Sequence, residues 1–176
     1  MGQMILDVQA FLETGGVVLD VIGVVTVVMW TLILERFYYF YRIFPNVADR
    51  VQRDWQARED HSSWAAHQIR RLKVSEMRME LEDGLPYIRV LVAVCPLLGL
   101  LGTVTGMIEV FDVMAVAGSG NAKAMAGGVS KATIPTMAGM VAALSGLILS
   151  ARLENFAADE GERLADRLEI EHGGDE

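Results

Sequence analysis

The chain has 176 residues, 52% of them hydrophobic and 22% charged, with a net charge of −8, one cysteine and three histidines. That balance excludes a nucleic-acid binder, which needs a basic surface, and a disulfide framework or Cys-based zinc cluster. His61, His67 and His172 show no metal-ligand spacing, so no metal or cofactor is expected. Two uncharged runs, residues 90–108 and 132–151, contain 19 and 20 residues. Each matches a bilayer's hydrocarbon thickness as a helix. A third run, residues 21–34, contains 14, and only Asp20 separates it from Val17, Val18 and Leu19. A soluble domain of this length could not surround such helices, so the chain reads as an all-α polytopic membrane protein with three transmembrane helices. Helices two and three are expected to be long and to extend into the cytoplasm.

Taken in order, residues 1–41 comprise an N-terminal periplasmic tail and the first span, at about 16–37. The tail has Asp7 and Glu13 and no basic n-region, so it does not read as a cleaved signal peptide. Trp30, Tyr38, Tyr39 and Tyr41 fit an interfacial aromatic belt, with Glu35 and Arg36 at the headgroups. Residues 42–88 are expected to form a cytoplasmic helical segment. Pro45-Asn46 signals a helix start, and Val47, Val51 and Trp55 follow at helical spacing. Asp60-His61-Ser62-Ser63 signals a break, with Ser62 or Ser63 capping a second helix that carries Trp64, Ile69, Leu72 and Leu81. That helix weakens near Gly84 and Pro86. Two such helices are too small for an independent core, so they are expected to pack on extensions of the spans or on neighbouring subunits.

Residues 89–151 hold the second span, about 89–108, and the third, about 132–151, joined by a short periplasmic connection, 109–131. Gly118-Ser119-Gly120-Asn121 is its turn signal. Pro96 is expected to kink the second span and free the carbonyl near Val92, while Pro135 falls near the start of the third, where a missing N–H is cheap. Cys95 reads as a small apolar core residue. Residues 152–176 form an acidic cytoplasmic helical tail with Leu153, Phe156, Leu164 and Leu168 at helical spacing; Gly161 interrupts it weakly and Gly173-Gly174 stops it. Ten of fifteen Lys and Arg lie between Arg36 and Arg89. The positive-inside rule therefore places the N-terminus outside and the C-terminus inside.

Gly99, Gly102 and Gly106 on the second span, and Ala138, Ala142, Gly146 and Ser150 on the third, are stripes of small residues for close helix packing. Three spans offer few internal surfaces for them, which favours a homo-oligomer. Thr103 and Thr136 lie about 21 and 24 Å along their helices from Arg89 and Arg152 at 1.5 Å per residue. Antiparallel spans bring them to one depth, beyond the midplane. A lone threonine more often bonds its own helix carbonyl than lines a channel, but shared depth singles out these two. Glu109 and Lys131 are also matched in depth and can form an ion pair at the outer boundary, where Lys131 can otherwise snorkel. No nucleophile–base pair, phosphate loop or metal set is present, so the chain is not expected to be an enzyme.

The run Pro96-Leu97-Leu98-Gly99-Leu100-Leu101-Gly102-Thr103-Val104-Thr105-Gly106-Met107 resembles the second-span signature of the ExbB/TolQ/MotA family, the proton-channel components of bacterial inner-membrane motors. Gly128-Val129-Ser130 and Pro135-Thr136-Met137-Ala138-Gly139-Met140-Val141-Ala142-Ala143 are similar to its third-span signature. Short length makes the chain look most like the ExbB of an accessory TonB system. The resemblance implies a pentamer whose second and third helices line a pore occupied by an ExbD-like single-span dimer, whose aspartate carries the proton. Thr103 and Thr136 match the family's pore-facing polar positions, and a TonB-like protein transmits the work to outer-membrane import. The sequence departs at Lys131, where the family often has glutamate, and at Leu144-Ser145, where isoleucine-proline is common. Two other readings stay open: TolQ-like envelope maintenance, and a passive membrane scaffold.

Overall fold

A computed structural model describes residues 2–58, 60, 63–117 and 122–168, and among these there is no strand. Among the described residues five α-helices follow one another: α1 Gly2–Tyr38, α2 Phe44–Gln56, α3 Trp64–Glu82, α4 Leu85–Ala117 and α5 Ala122–Arg167. A π-helical turn, Tyr39–Ile43, joins α1 to α2. Three helices are long and apolar enough to cross a membrane, and only 22–28% of each apolar window is buried inside the chain. The rest of that surface needs lipid or protein against it, since water would make it costly. The fold class is therefore as the sequence indicates: an all-helical membrane protein.

Helix ends differ from the expected ones in a consistent direction. α4 starts at Leu85 and ends at Ala117, and α5 starts at Ala122, so most of the 109–131 connection is helical. Charges at Glu109 and Lys131 end an apolar run, yet a helix continues while its backbone bonds continue. The turn signal at Gly118-Ser119-Gly120-Asn121 lies outside the described residues, as do His61, Ser62 and Gly173-Gly174. Pro135 consequently sits thirteen residues into α5, not in an early turn. α4 continues as helix on both sides of Pro96. α1 does break, at Gly16, where φ is 67° and ψ −170°. A side chain there would be strained, which only glycine avoids.

The chain divides into two compact units. The first comprises Met1–Thr31 and Tyr87–Ile148, the apolar parts of α1, α4 and α5. Its buried positions on α4 include Ile88, Val92, Cys95, Gly99, Gly102 and Gly106; on α5 they are Ala132, Pro135, Gly139, Ala142, Ala143 and Gly146. Steps of three and four alternate along both rows, the 3.5-residue repeat that keeps one seam facing a partner helix. Val25 of α1 packs on the cluster of Cys95, Ala142 and Ala143.

The second unit comprises Leu32–Pro86 and Leu149–Glu176. Ser63 caps α3, its hydroxyl accepting from the Ala66 N–H at 3.1 Å, which satisfies one open helix donor. α2 and α3 do gain a core from the end of α5: Trp55, Ala66 and Leu168 bury together, with Val51, Ile69 and Val74 against them. Trp64 and Leu72, expected on the buried face of α3, are exposed at 77% and 58%. The buried face instead runs through Ala66, Met77 and Leu81, because small Ala66 lets the helices approach where a Trp would hold them apart. Phe40 stacks near Phe156 with ring centroids 5.1 Å apart. The Arg70 guanidinium donates to the carbonyls of Ala165 and Leu168, both at 2.5 Å, closing the C-terminus of α5, where unpaired carbonyls attract a cation.

Candidate functional site

The α4–α5 seam is built on contacts too close for side chains. A Cβ on Gly99 would sit 3.0 Å from Thr136 Cα, one on Gly106 2.6 Å from Ala132 Cα, and one on Gly139 2.5 Å from the Cys95 carbonyl oxygen. On Gly102 it would meet Pro135 Cβ at 2.5 Å, and on Gly146 the Met29 sulfur of α1 at 2.5 Å. In lipid such approach replaces the hydrophobic effect as the source of helix association. The stripe Gly99, Gly102 and Gly106 is therefore used within the chain. This corrects the argument from small residues to a homo-oligomer: α5 already occupies the glycine face on which that argument rests.

Ala138 is half-buried, whereas Gly139 is fully packed. Reading the third span as Ala138, Ala142, Gly146 and Ser150 takes steps of four only, and each such step drifts about 40° around the helix. The real seam alternates three and four, so it passes through Gly139. That alternation, Ala132-Pro135-Gly139-Ala142-Gly146, was the signal available in the sequence.

The hydroxyls follow from this packing. Thr136 Oγ1 donates across the seam to the Gly99 carbonyl at 2.9 Å. Thr103 Oγ1 donates to Leu100 O of its own helix at 2.7 Å. Both side chains are half-buried. Thr136 thus bonds one turn from Thr103 on α4. On α5, a groove against α1 of about 650 Å³ is lined by Ile134, Ala138, Val141 and Ser145 among others. Thr136 is about 200° of helical rotation from both Ile134 and Ala138, so it faces away from the groove.

At the far end of the seam Lys131 Nζ lies 2.7 Å from Glu109 Oε2, with side chains 39% and 58% exposed. Lys131 also runs beside the α1 break: a Cβ on Gly16 would be 3.5 Å from Lys131 Cε. The Val110 side chain fills the space in which a Gly128 side chain would stand. Among the described residues no group of three His, Cys, Asp or Glu could hold a metal. What the seam offers chemically is a rigid apolar wall carrying a few hydroxyls and one ion pair.

Comparison with known proteins fits this arrangement. An ExbB-like biopolymer transport protein of Synechocystis sp. is 38% identical over 92 residues, covering 46% of this chain and 35% of that protein. The biopolymer transport protein exbB1 of Vibrio cholerae is 37% identical over 87 residues, covering 49% of this chain and 38% of its own. The chain thus spans little more than a third of these relatives' length. The profile of the MotA/TolQ/ExbB proton channel family matches residues 42–166, most of α4 and α5 included. The chain, with three apolar helices and a glycine-packed α4–α5 seam, belongs to the MotA/TolQ/ExbB proton channel family.

Proposed function

We propose that the chain is a ring subunit of a bacterial inner-membrane complex that couples proton flow to TonB-dependent outer-membrane import. Membership of a proton channel family supports the first half, and relatives named as ExbB-type biopolymer transport proteins favour the TonB branch. In this reading the N-terminus is periplasmic, and residues 42–88 and 152–176 lie on the cytoplasmic side, where the Lys and Arg excess belongs. The subunits form a homo-oligomer, a pentamer by family resemblance, around an ExbD-like single-span dimer. A TonB-like protein carries the work outward.

The observation that carries the reading is the α4–α5 flank itself. Thr136 bonds the Gly99 carbonyl one turn from Thr103 on a largely apolar wall, and neither hydroxyl can hold an excess proton at physiological pH. Such a wall suits a protonatable helix moving past it, and the transmembrane potential supplies about 2.3 kcal/mol per charge per 100 mV. Reconstitution with the single-span partner in proteoliposomes tests this. Proton flux on imposing a potential, reduced by Thr103→Ala and Thr136→Val with the oligomer intact, is the expected result. A complex that assembles without flux would make it a passive scaffold, and flux that serves envelope maintenance in place of import would favour the TolQ-like branch. Native mass of the purified complex checks the five-to-two stoichiometry.

A further inference from the structure

We propose that the outward face of α3 is a docking surface for a second copy of this chain, which meets it with the acidic outward face of its own α5. The inference rests on the homo-oligomer reading above and adds which surfaces join the copies outside the spans. The glycine seam does not supply such a surface, because α5 of the same chain covers Gly99, Gly102 and Gly106.

On α3, Trp64, Arg71, Leu72, Arg78 and Met79 fall within about 120° of helical rotation, opposite the buried Ala66, Met77 and Leu81. Trp64, Leu72 and Met79 are 77%, 58% and 63% exposed, and large apolar side chains gathered on one face mark a contact surface. A groove of about 370 Å³ runs along this face, lined by Arg70, Arg71, Ser75 and Arg78 among others. Arg70 is bound to the end of α5, which leaves Arg71 and Arg78 exposed beside the apolar row.

On α5, Asp159, Glu162 and Asp166 are exposed and fall within about 60° of rotation. They lie opposite the buried Leu153, Ala157, Leu164 and Leu168. Arg163, next to them, is held by Glu160 at 2.8 Å. Among the described residues Arg71, Arg78, Asp159, Glu162 and Asp166 form no ion pair within the chain. The acidic row is on the far side of α5 from Gly161 and Leu168, which touch α3, so the two rows cannot meet in one copy. Between copies they are complementary in charge.

Height along the helices points to a second copy as the occupant. α3 and α5 are antiparallel: Arg70 bonds the carbonyls of Ala165 and Leu168, and a Cβ on Gly161 would lie 3.4 Å from Arg78 Cγ. Arg71 is therefore level with Asp166, and Arg78 with Asp159 and Glu162, to within a turn. The spacing also matches, since Arg71 to Arg78 and Asp159 to Asp166 are each about 10.5 Å at 1.5 Å per residue. In a ring whose axis runs along these helices, rotation from one copy to the next keeps every residue at its own height. The next copy's carboxylates then arrive opposite the arginines without a shift along the axis. Because the two faces are different surfaces, the contact is head-to-tail and closes into a ring.

Charge reversal in the full chain, with native mass in detergent micelles as the readout, tests this. Arg71→Glu with Arg78→Glu, or Asp159→Lys with Asp166→Lys, should raise the concentration of half-dissociation about tenfold, since like charges then face each other. All four substitutions together should restore the wild-type value. Arg50→Glu with Arg53→Glu on α2, an equal change of charge, should leave it in place. Arg71→Cys with Asp166→Cys, treated with a short bis-maleimide, should give a ladder of linked copies beyond the dimer, which either cysteine alone should not; Cys95 is buried. If the reversed chains fail to fold, the ladder decides. A ladder that stops at the dimer, or links to a different protein, overturns the inference. So does a wild-type oligomer that gives no ladder and ignores the reversals. A wild-type chain with the mass of one copy overturns the homo-oligomer reading instead.

Discussion

Lys131 reaches from α5 to Glu109 of α4, with Nζ 2.7 Å from Oε2, close to the glycine at which α1 breaks. Both partners keep substantial exposure, so solvent or headgroups screen the pair, and its worth is that of a surface ion pair, about 0.2–1 kcal/mol. Lys131→Met and Glu109→Gln should each lower thermal stability slightly in lipid nanodiscs. The exchanged pair Lys131→Glu with Glu109→Lys should recover most of the loss. A double-mutant cycle measures the coupling. A coupling near zero, with no recovery in the exchange, would show that each charge is solvated separately.

Glycines that look alike in the sequence should respond in opposite ways. Gly99→Ala and Gly106→Ala place a Cβ 3.0 and 2.6 Å from α5 backbone atoms, which cannot move aside as a flexible side chain would. Overpacking of this kind costs about 1–3 kcal/mol. Gly23→Ala on α1 meets nothing within 4 Å, and alanine's better helix propensity should make it neutral or stabilising by up to about 1 kcal/mol. Chemical denaturation in mixed micelles ranks the three. Equal losses at Gly23 and Gly106 would mean the seam is not the determinant.

Arg70→Ala should loosen the end of α5. The guanidinium satisfies two carbonyls, of Ala165 and Leu168, and hydrogen bonds from a charged donor are worth about 1.5–3 kcal/mol when partly buried. Amide exchange over residues 160–168 should accelerate, while exchange in the 92–106 stretch of α4 stays unchanged. Arg70→Lys should recover only part, since a compact ammonium lacks the guanidinium's fork.

At the α3–α4 junction backbone geometry should matter more than charge. Arg36 pairs with Asp83 at 2.9 Å, but Asp83 is 70% exposed. Arg36 Nε also lies 3.2 Å from Glu35 Oε2, an ion contact without a hydrogen bond. Asp83→Asn should therefore cost less than about 1 kcal/mol. Gly84 has φ 76°, and an added Cβ would meet Arg36 Nε at 2.5 Å. Gly84→Ala combines a left-handed backbone cost of about 1–2 kcal/mol with displacement of the guanidinium, so it should be the larger loss. Melting temperatures of the two variants decide the order.

How much of this could be read in advance depended on how local each determinant is. Two uncharged runs of 19 and 20 residues established the membrane helices, because spanning hydrocarbon requires length and apolarity within one segment. The Pro96–Met107 run pointed to the family, and a helix break before Ser63 followed from its capping chemistry. Tertiary structure decided the rest. Charges at Glu109 and Lys131 ended the apolar runs but not the helices, since the bilayer limits composition while backbone bonds limit helix length. Gly99, Gly102 and Gly106 could have faced a second subunit or α5, and only the backbone approach to Ala132, Pro135 and Thr136 assigned them to α5. Thr103 and Thr136 were equivalent in depth along the chain. They differ because Thr136 stands opposite a carbonyl without a side chain in the way, so its proton crosses the seam while that of Thr103 stays on its own helix.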